Sequence, residues 1–124
     1  MQKHDGYAKM QVYEKSYKAS LAVYGMTKQF PKEERNGITD QMRRASMSIP
    51  LNIAEGYAKK ESQAEFKRFL MMAMGSANEM SVLINFAKDL GYLEQGRYQK
   101  ALEEYESIGK MLNTLIKRVK EQIK

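Results

Sequence analysis

A seven-residue apolar repeat near the carboxyl end limits what this chain can fold into more than any other feature. Apolar side chains return at alternating intervals of three and four residues, at Tyr98, Ala101, Tyr105, Ile108, Leu112, Leu115 and Val119. This spacing places all of them on one stripe of an α-helix. The repeat therefore predicts a helix over about residues 94–122 that buries one face against partner helices.

Three earlier segments also have helical periodicity. The third, residues 62–90, and the second, residues 37–57, each carry one apolar seam, whereas the first, residues 8–29, has a weaker pattern. Together the four segments predict an all-α protein, an antiparallel up-down-up-down four-helix bundle in a single domain over residues 1–124. The apolar residues of the first segment are Val12, Tyr13, Tyr17, Leu21, Tyr24 and Phe30, with several small polar residues between them. The predicted seams are Ile38, Met42, Ala45, Ile49 and Ile53 in the second segment, and Phe66, Ala73, Met80 and Ala87, joined by Phe69, Leu70, Ala77 and Ile84, in the third.

Local signals mark the third helix at both ends. Ser62, with Glu65 three residues later, has the spacing of a capping box, in which each side chain bonds to the other residue's backbone amide. Gly91 follows the last periodic apolar residue, where a left-handed backbone conformation commonly ends a helix. These signals predict where the third helix begins and ends.

The second helix contains one irregularity. Pro50 lies inside it and removes the hydrogen bond to the carbonyl of the residue four before it, so we expect a kink there. Ser46 and Ser48 are placed to bond to the nearby backbone instead. The other residues with a predicted structural role are Asn52 and Glu55, as polar side chains that satisfy the interrupted backbone, and Gly56.

Two of the predicted helices carry a second apolar stripe away from the seam. Because one chain folded alone would leave these side chains in water, the stripes favour contact between copies in a homo-oligomer. The alternative is that they are ordinary scattered apolar surface residues. The candidate interface residues are Met47, Leu51, Met71, Val82 and Phe86.

Composition argues against several classes of function. With no cysteine, the chain forms no disulfide and has no thiol nucleophile, and a reducing cytoplasm is the expected location. The richest apolar run, Phe69 to Met74, is far shorter than the roughly 20 residues of a membrane-spanning helix, so no membrane partner is expected. A di-iron bundle site needs inward histidines, and the single histidine is His4. We expect no metal and no cofactor.

Catalysis has no clear candidates either. Ser46, Ser48 and Ser76 lack a base that could activate them, and Glu55 lacks the second group that acid-base chemistry usually needs. We therefore predict that the protein is not an enzyme.

Charge supplies the remaining candidates. The formal net charge of +6 favours polyanionic partners, RNA or DNA, bound through their phosphates. No aromatic platform is evident among the basic residues, so backbone contacts are expected and base stacking is not. The candidate nucleic-acid-binding residues are Arg43, Arg44, Lys59, Lys60, Lys67, Arg68, Lys117, Arg118 and Lys120.

Several segments carry a family resemblance. They read FPKEE at 30–34, GIT at 37–39, RRASMSIPLNIAEG at 43–56, EFKRFL at 65–70 and LGYL at 90–93. In these the chain resembles the bacterial four-helix bundle proteins encoded by intervening sequences in large-subunit ribosomal RNA genes. That family is similar to the accessory variability proteins of diversity-generating retroelements.

The resemblance implies further expectations. These are an antiparallel bundle assembled as a homopentamer, a basic surface and, in retroelement members, binding to nucleic acid and to a reverse transcriptase. Two hypotheses follow. The first is a non-enzymatic, oligomeric nucleic-acid-binding or accessory protein, and the second is a protein-interaction scaffold that binds no nucleic acid.

Overall fold

The computed structural model describes residues 10–123, which form four long helices. They are α1 (Gln11–Thr27), α2 (Ile38–Ala58), α3 (Gln63–Asp89) and α4 (Gln95–Glu121). A short 3-10 helix, Lys32–Glu34, lies between α1 and α2, and no strand occurs within the described residues. The prediction of an all-α four-helix bundle is confirmed. The predicted start of the first helix at residue 8 lies outside the described residues.

Side-chain contacts give the direction of α1 relative to α2. The hydroxyls of Ser20 and Ser46 are 3.0 Å apart, and Arg43 Nε donates to Thr27 Oγ1 at 2.9 Å. Moving forward along α1 therefore means moving backward along α2, and the two helices run in opposite directions.

The same reasoning applies to the next pair. The hydroxyls of Ser48 in α2 and Ser76 in α3 are hydrogen-bonded to each other, whereas Gly56, further along α2, lies beside Phe66 and Phe69, which come earlier in α3. The loop between these helices is short, and α3 packs along α2 in the opposite direction.

The predicted seams of α2, α3 and α4 form the core. The seam residues of α2 and α3 are buried except Phe69, which is half-buried, and Tyr105, Ile108, Leu112 and Val119 of α4 are buried as well. Ser62 accepts a hydrogen bond from the amide of Glu65 at 3.2 Å, and Gly91 has a φ of 83°. Both end signals of α3 are therefore where the sequence predicted them, and its apolar periodicity faces the other helices.

Half of the apolar residues that mark the first segment do not face the core. Tyr17, Leu21 and Tyr24 are exposed, and α1 instead buries a face of mostly small side chains. Small side chains allow α1 to approach α2 closely, and the buried hydroxyls find partners at short range. Ser16 bonds to the Tyr13 carbonyl and Thr27 to the Val23 carbonyl. The buried face consists of Val12, Ser16, Ala19, Ser20, Val23 and Thr27.

Around Pro50 the helix continues without a break from Ile38 to Ala58. As expected, Ser46 and Ser48 bond to the carbonyls three residues before them, both at 3.1 Å. Asn52 Nδ2 donates to the Ser48 carbonyl at 2.8 Å. These three bonds lie within two turns of Pro50, but they go to the carbonyls of Arg43, Ala45 and Ser48 and not to that of Ser46, which loses its usual donor to the proline. The kink itself stays a prediction.

Two structural roles differ from expectation. Glu55 does not bond to the backbone near Gly56, because its carboxylate lies 3.4 Å from the ammonium of Lys59. Gly56 does not interrupt the helix. A Cβ atom there would lie 2.9 Å from the Cβ of Phe69, so glycine is needed because α2 and α3 approach each other closely.

Candidate nucleic-acid interface

Two groups of predicted basic residues, far apart in sequence, lie at one end of the bundle. The first surrounds the loop between α2 and α3, and the second lies in the last turns of α4. Residues 55–68 and 117–121 together contain seven basic side chains and four acidic ones. We call this region the basic end. Its cations are Lys59, Lys60, Lys67, Arg68, Lys117, Arg118 and Lys120.

The packing of α3 against α4 brings the two groups together. Tyr98 donates to Asn85 Oδ1 at 2.6 Å, and a Cβ atom at Gly109 would lie 3.9 Å from the sulfur of Met74. Met74 lies eleven residues before Asn85 in α3, and Gly109 lies eleven residues after Tyr98 in α4. The two helices therefore run antiparallel. Lys117, eight residues after Gly109, is therefore level with Phe66, eight residues before Met74 and near the start of α3.

The first helix begins at this end as well. Met10 and Val12 line a shallow groove together with Leu115 and Arg118 of α4. Arg118 therefore lies where α1 begins and α4 ends.

Arg43 and Arg44 lie elsewhere. They are about 24 Å from Lys59 along α2 at 1.5 Å per residue. Arg43 bonds to Thr27 at the end of α1, and its guanidinium carbon is 4.7 Å from the centre of the Tyr24 ring. Arg44 pairs with Asp40 at 2.9 Å. The nine candidate residues therefore do not form one surface, because most of the length of α2 separates Arg43 and Arg44 from the other seven.

Carboxylates already engage two cations of the basic end. Arg68 donates two hydrogen bonds to Glu65, both at 3.1 Å, and Lys59 pairs with Glu55. The hydrogen bond from Arg68 lowers the pKa of the Glu65 carboxyl, which keeps the pair charged at neutral pH. These pairs reduce the charge that Arg68 and Lys59 can offer to a phosphate.

Other cations at this end are not paired. Within residues 10–123, Lys67, Lys117, Arg118 and Lys120 have no carboxylate within ion-pair distance. Lys60 donates to the phenol oxygen of Tyr57 at 3.3 Å. The positive charge available to an anion is therefore concentrated at the end of α4 and beside the first turn of α3.

Sequence reasoning missed two aromatic rings among these cations. The ring of Phe69 lies beneath both Arg68 and Lys59, and Lys60 lies over the ring of Tyr57. Only the pairing of α2 with α3 joins Lys59 to Phe69. The adjacency of Arg68 and Phe69 was a signal in the sequence, although neighbours on a helix do not usually stack.

Apolar side chains form two exposed faces, one of which begins a single turn after Lys67. On α3, the outer face carries Met71, Val82 and Phe86, which are 53 to 57% exposed. We call these three residues the α3 ridge. Between α1 and α2 lies an open groove of about 430 Å³. This apolar groove is lined by Tyr13, Tyr17, Ser20, Leu21, Tyr24, Met47, Pro50, Leu51 and Ala54.

All five candidate interface residues therefore lie on exposed surface, and they fall on two faces. Met47 and Leu51 belong to the apolar groove, and the other three form the α3 ridge. Tyr17, Leu21 and Tyr24, which α1 adds to the groove, were not among the candidate interface residues. Their outward position enlarges the exposed apolar surface beyond what the sequence indicated.

The serines considered as nucleophiles have structural partners. Ser46 bonds to Ser20, and Ser48 bonds to Ser76. Tyr105 lies nearby, where burial, followed by the charge of Glu104, raises the pKa of its phenol. Within residues 10–123, its oxygen is the one buried side-chain polar atom without a hydrogen-bond partner. These groups form a polar layer across the middle of the bundle.

Two other types of site, a metal centre and a membrane-spanning helix, are not present in the part of the chain that the structure describes. No group of three or more His, Asp or Glu side chains within residues 10–123 could hold a metal ion, and His4 lies outside these residues. Each helix in that range is too short or too polar to cross a bilayer.

Comparison with known proteins identifies the family to which this bundle belongs. The sequence profile of the 23S rRNA-intervening sequence proteins matches residues 8–114, which is most of the chain. The chain belongs to this family. The family resemblance inferred from the sequence motifs is confirmed, and the matched residues include α1, α2, α3 and most of α4.

A solved structure has the same fold as this family member. It is the crystal structure of a protein with unknown function, from the S23 ribosomal protein family of Bacteroides thetaiotaomicron. The two chains are 25% identical and superpose with a TM-score of 0.78 over 86% of this chain and 95% of the other. A comparison with curated proteins found no match. Neither similarity points to a catalytic family.

Proposed function

We propose that this protein is a non-enzymatic nucleic-acid-binding protein that contacts phosphates through its basic end. The observation that carries this proposal is that two cation groups from separate parts of the sequence lie at one end of the bundle. Seven cations against four carboxylates give that end an excess of positive charge. Lysine and arginine at such a surface displace the counterions of a nucleic acid.

The two arginines at the other end have a smaller part in this proposal. Asp40 neutralises Arg44, and Arg43 is held by Thr27 and Tyr24. The cations without carboxylate partners, Lys67 and the three at the end of α4, are the proposed phosphate contacts.

In this proposal the protein acts as a homo-oligomer. The apolar groove and the α3 ridge together expose more apolar surface than is usual for a single copy in water. Association repeats the basic end in each copy, and several weak phosphate sites on one particle bind a long polyanion more tightly than one does. Five copies, and a reverse transcriptase as a further partner, stay predictions from the family resemblance.

A salt titration tests the phosphate contacts. Fluorescence anisotropy with a labelled mixed-sequence single-stranded RNA is expected to show log affinity falling linearly with log salt concentration. Replacing Lys117, Arg118 and Lys120 with glutamate removes three proposed contacts. Since each contact to a single strand contributes about 0.7 to the slope, the slope should become shallower by about two.

The matched control makes the same charge change at the opposite end, with Lys28, Lys32 and Arg35 replaced by glutamate. These three side chains are exposed and belong to the turn between α1 and α2. An equal loss of affinity in both variants would show attraction by net charge alone and contradict a site at the basic end. Absent or salt-independent binding by the unmodified protein would favour the scaffold hypothesis instead.

A further inference from the structure

Arg68 is held in a fixed orientation on the surface of the basic end. Its Nε and Nη2 donate to the two carboxylate oxygens of Glu65, both at 3.1 Å, and its guanidinium carbon is 4.5 Å from the centre of the Phe69 ring. A two-pronged bond to a carboxylate fixes a planar guanidinium in both position and tilt. The arrangement therefore preorganises Arg68 as a flat surface.

One side of that surface is open. Phe69 lies on one side of the guanidinium, yet the Arg68 side chain remains 56% exposed. Because Glu65 already balances its charge, Arg68 is a poor choice for neutralising a phosphate. Its exposed plane is suited to a different contact, since nucleobases stack on arginine planes as they do on aromatic rings.

Phe69 is placed to support such a stack. The ring is half-buried, lies outside the apolar core cluster and has the ammonium of Lys59 5.7 Å from its centre. A base on the outer side of Arg68 would extend the existing pair into three layers, with the guanidinium still held by Glu65 and with its Nη1 3.9 Å from the sulfur of Met72. The nearby Tyr57 and Lys60, 4.5 Å apart from ring centre to ammonium, form a second pair of the same type.

We propose that the basic end binds single-stranded nucleic acid in preference to duplex, with an unpaired base stacked on Arg68 above Phe69. Phosphates along the same strand contact the unpaired cations, Lys67 next to Arg68 and the three at the end of α4. In a duplex the faces of the bases are covered by their neighbours, so only the phosphate contacts remain available. This inference rests on the proposed function and adds the kind of strand that the site selects.

The test compares three probes of equal length at one salt concentration by fluorescence anisotropy. They are a mixed-sequence single-stranded RNA, the duplex of that RNA, and an abasic strand that keeps the phosphates and lacks the bases. The unmodified protein is expected to bind the single strand about tenfold more tightly than the abasic strand, which is the effect of roughly one stacked base.

Two variants isolate the stack. Arg68→Lys keeps the charge and loses the plane, and Phe69→Leu keeps the apolar bulk and loses the ring. Each should weaken binding to the single strand about tenfold and change binding to the abasic strand less than about twofold. The matched controls at the other end are Arg44→Lys, which alters an arginine paired with Asp40, and Tyr98→Leu, which alters a ring beneath Lys88. Neither should change binding to any probe.

Each outcome is decisive. Equal affinity for the single strand and the abasic strand, or an equal loss for all three probes in the Arg68 and Phe69 variants, would overturn the stack and leave the proposed function standing. Failure of the unmodified protein to bind any probe would overturn the proposed function and this inference with it. Circular dichroism of each variant shows that the helices are retained.

Discussion

At Gly56 the backbones of α2 and α3 approach too closely for a larger residue. A methyl group there would meet the Cβ of Phe69 at 2.9 Å and the Cδ1 of Phe66 at 3.1 Å. The Cβ of Phe69 cannot swing aside, so the helices themselves must separate. We expect Gly56→Ala to lower the free energy of unfolding by about 1 to 2 kcal/mol, because overpacking exceeds the gain in helix propensity.

Gly75→Ala is the matched control for that prediction. Gly75 lies in the exposed middle of α3, and a methyl group there would meet nothing within 4 Å. The same substitution should therefore raise the free energy of unfolding by about 0.5 to 1 kcal/mol through helix propensity alone. Urea unfolding at a fixed protein concentration measures both variants. Equal effects at the two glycines would show that α2 and α3 leave enough space for a methyl group at Gly56.

At the scale of a helix, α3 depends on Ser62 for its start. The Ser62 hydroxyl accepts the amide of Glu65, but the Glu65 carboxylate turns to Arg68 and does not complete the predicted capping box. One half of the box therefore holds the helix end. We expect Ser62→Ala to lower the free energy of unfolding by about 1 kcal/mol, measured by urea titration.

The comparison variant is Ser107→Ala, in the middle of α4, where the serine caps no helix. Its effect should be within about 0.5 kcal/mol of zero. A Ser62 variant as stable as the Ser107 variant would mean that the loop, and not the cap, determines where α3 begins.

The sequence predicted α2, α3 and α4 better than α1, and the reason is physical. The ends of α2, α3 and α4 lie within one residue of prediction, because glycine, serine and continuous apolar seams mark them. In α1 the buried positions are held by Ser16, Ala19 and Ser20, whose small side chains carry little hydropathy signal. Their burial depends on how closely α2 approaches, which the sequence of α1 does not encode.

Only part of the candidate site could be predicted from the sequence, for a related reason. Charge alone selected the nine cations, and seven of them meet at one end. Which groups meet depends on the alignment of α3 with α4, and which cations are free depends on carboxylates one turn away. The contact of Lys59 with Phe69 joins two helices and has no pattern in either one.

At the scale of the whole molecule, the two apolar faces have different shapes. The apolar groove lies between two helices, whereas the α3 ridge is the outer face of a single helix. A groove pressed against a groove would leave its cavity empty, but a helix fits it. We therefore expect the groove of one copy to receive the ridge of the next, a head-to-tail contact that forms rings when it closes.

Two double variants test this arrangement. Leu21→Gln with Leu51→Gln removes apolar side chains from the groove, and Val82→Gln with Phe86→Gln removes them from the ridge. All four positions are exposed, so helical content should be unchanged. Light scattering should give each variant alone the 14.4 kDa mass of a single chain, because each has lost one side of the contact.

Mixing the two variants is the decisive step. The groove variant keeps an intact ridge and the ridge variant keeps an intact groove, so one contact can form between them and none can extend further. An equimolar mixture should therefore contain particles of two chains, twice the mass that either variant has alone. Contacts between identical faces predict the opposite, since each variant would then pair with itself through its intact face. A mixture that stays at the mass of one chain would rule out the contact between groove and ridge.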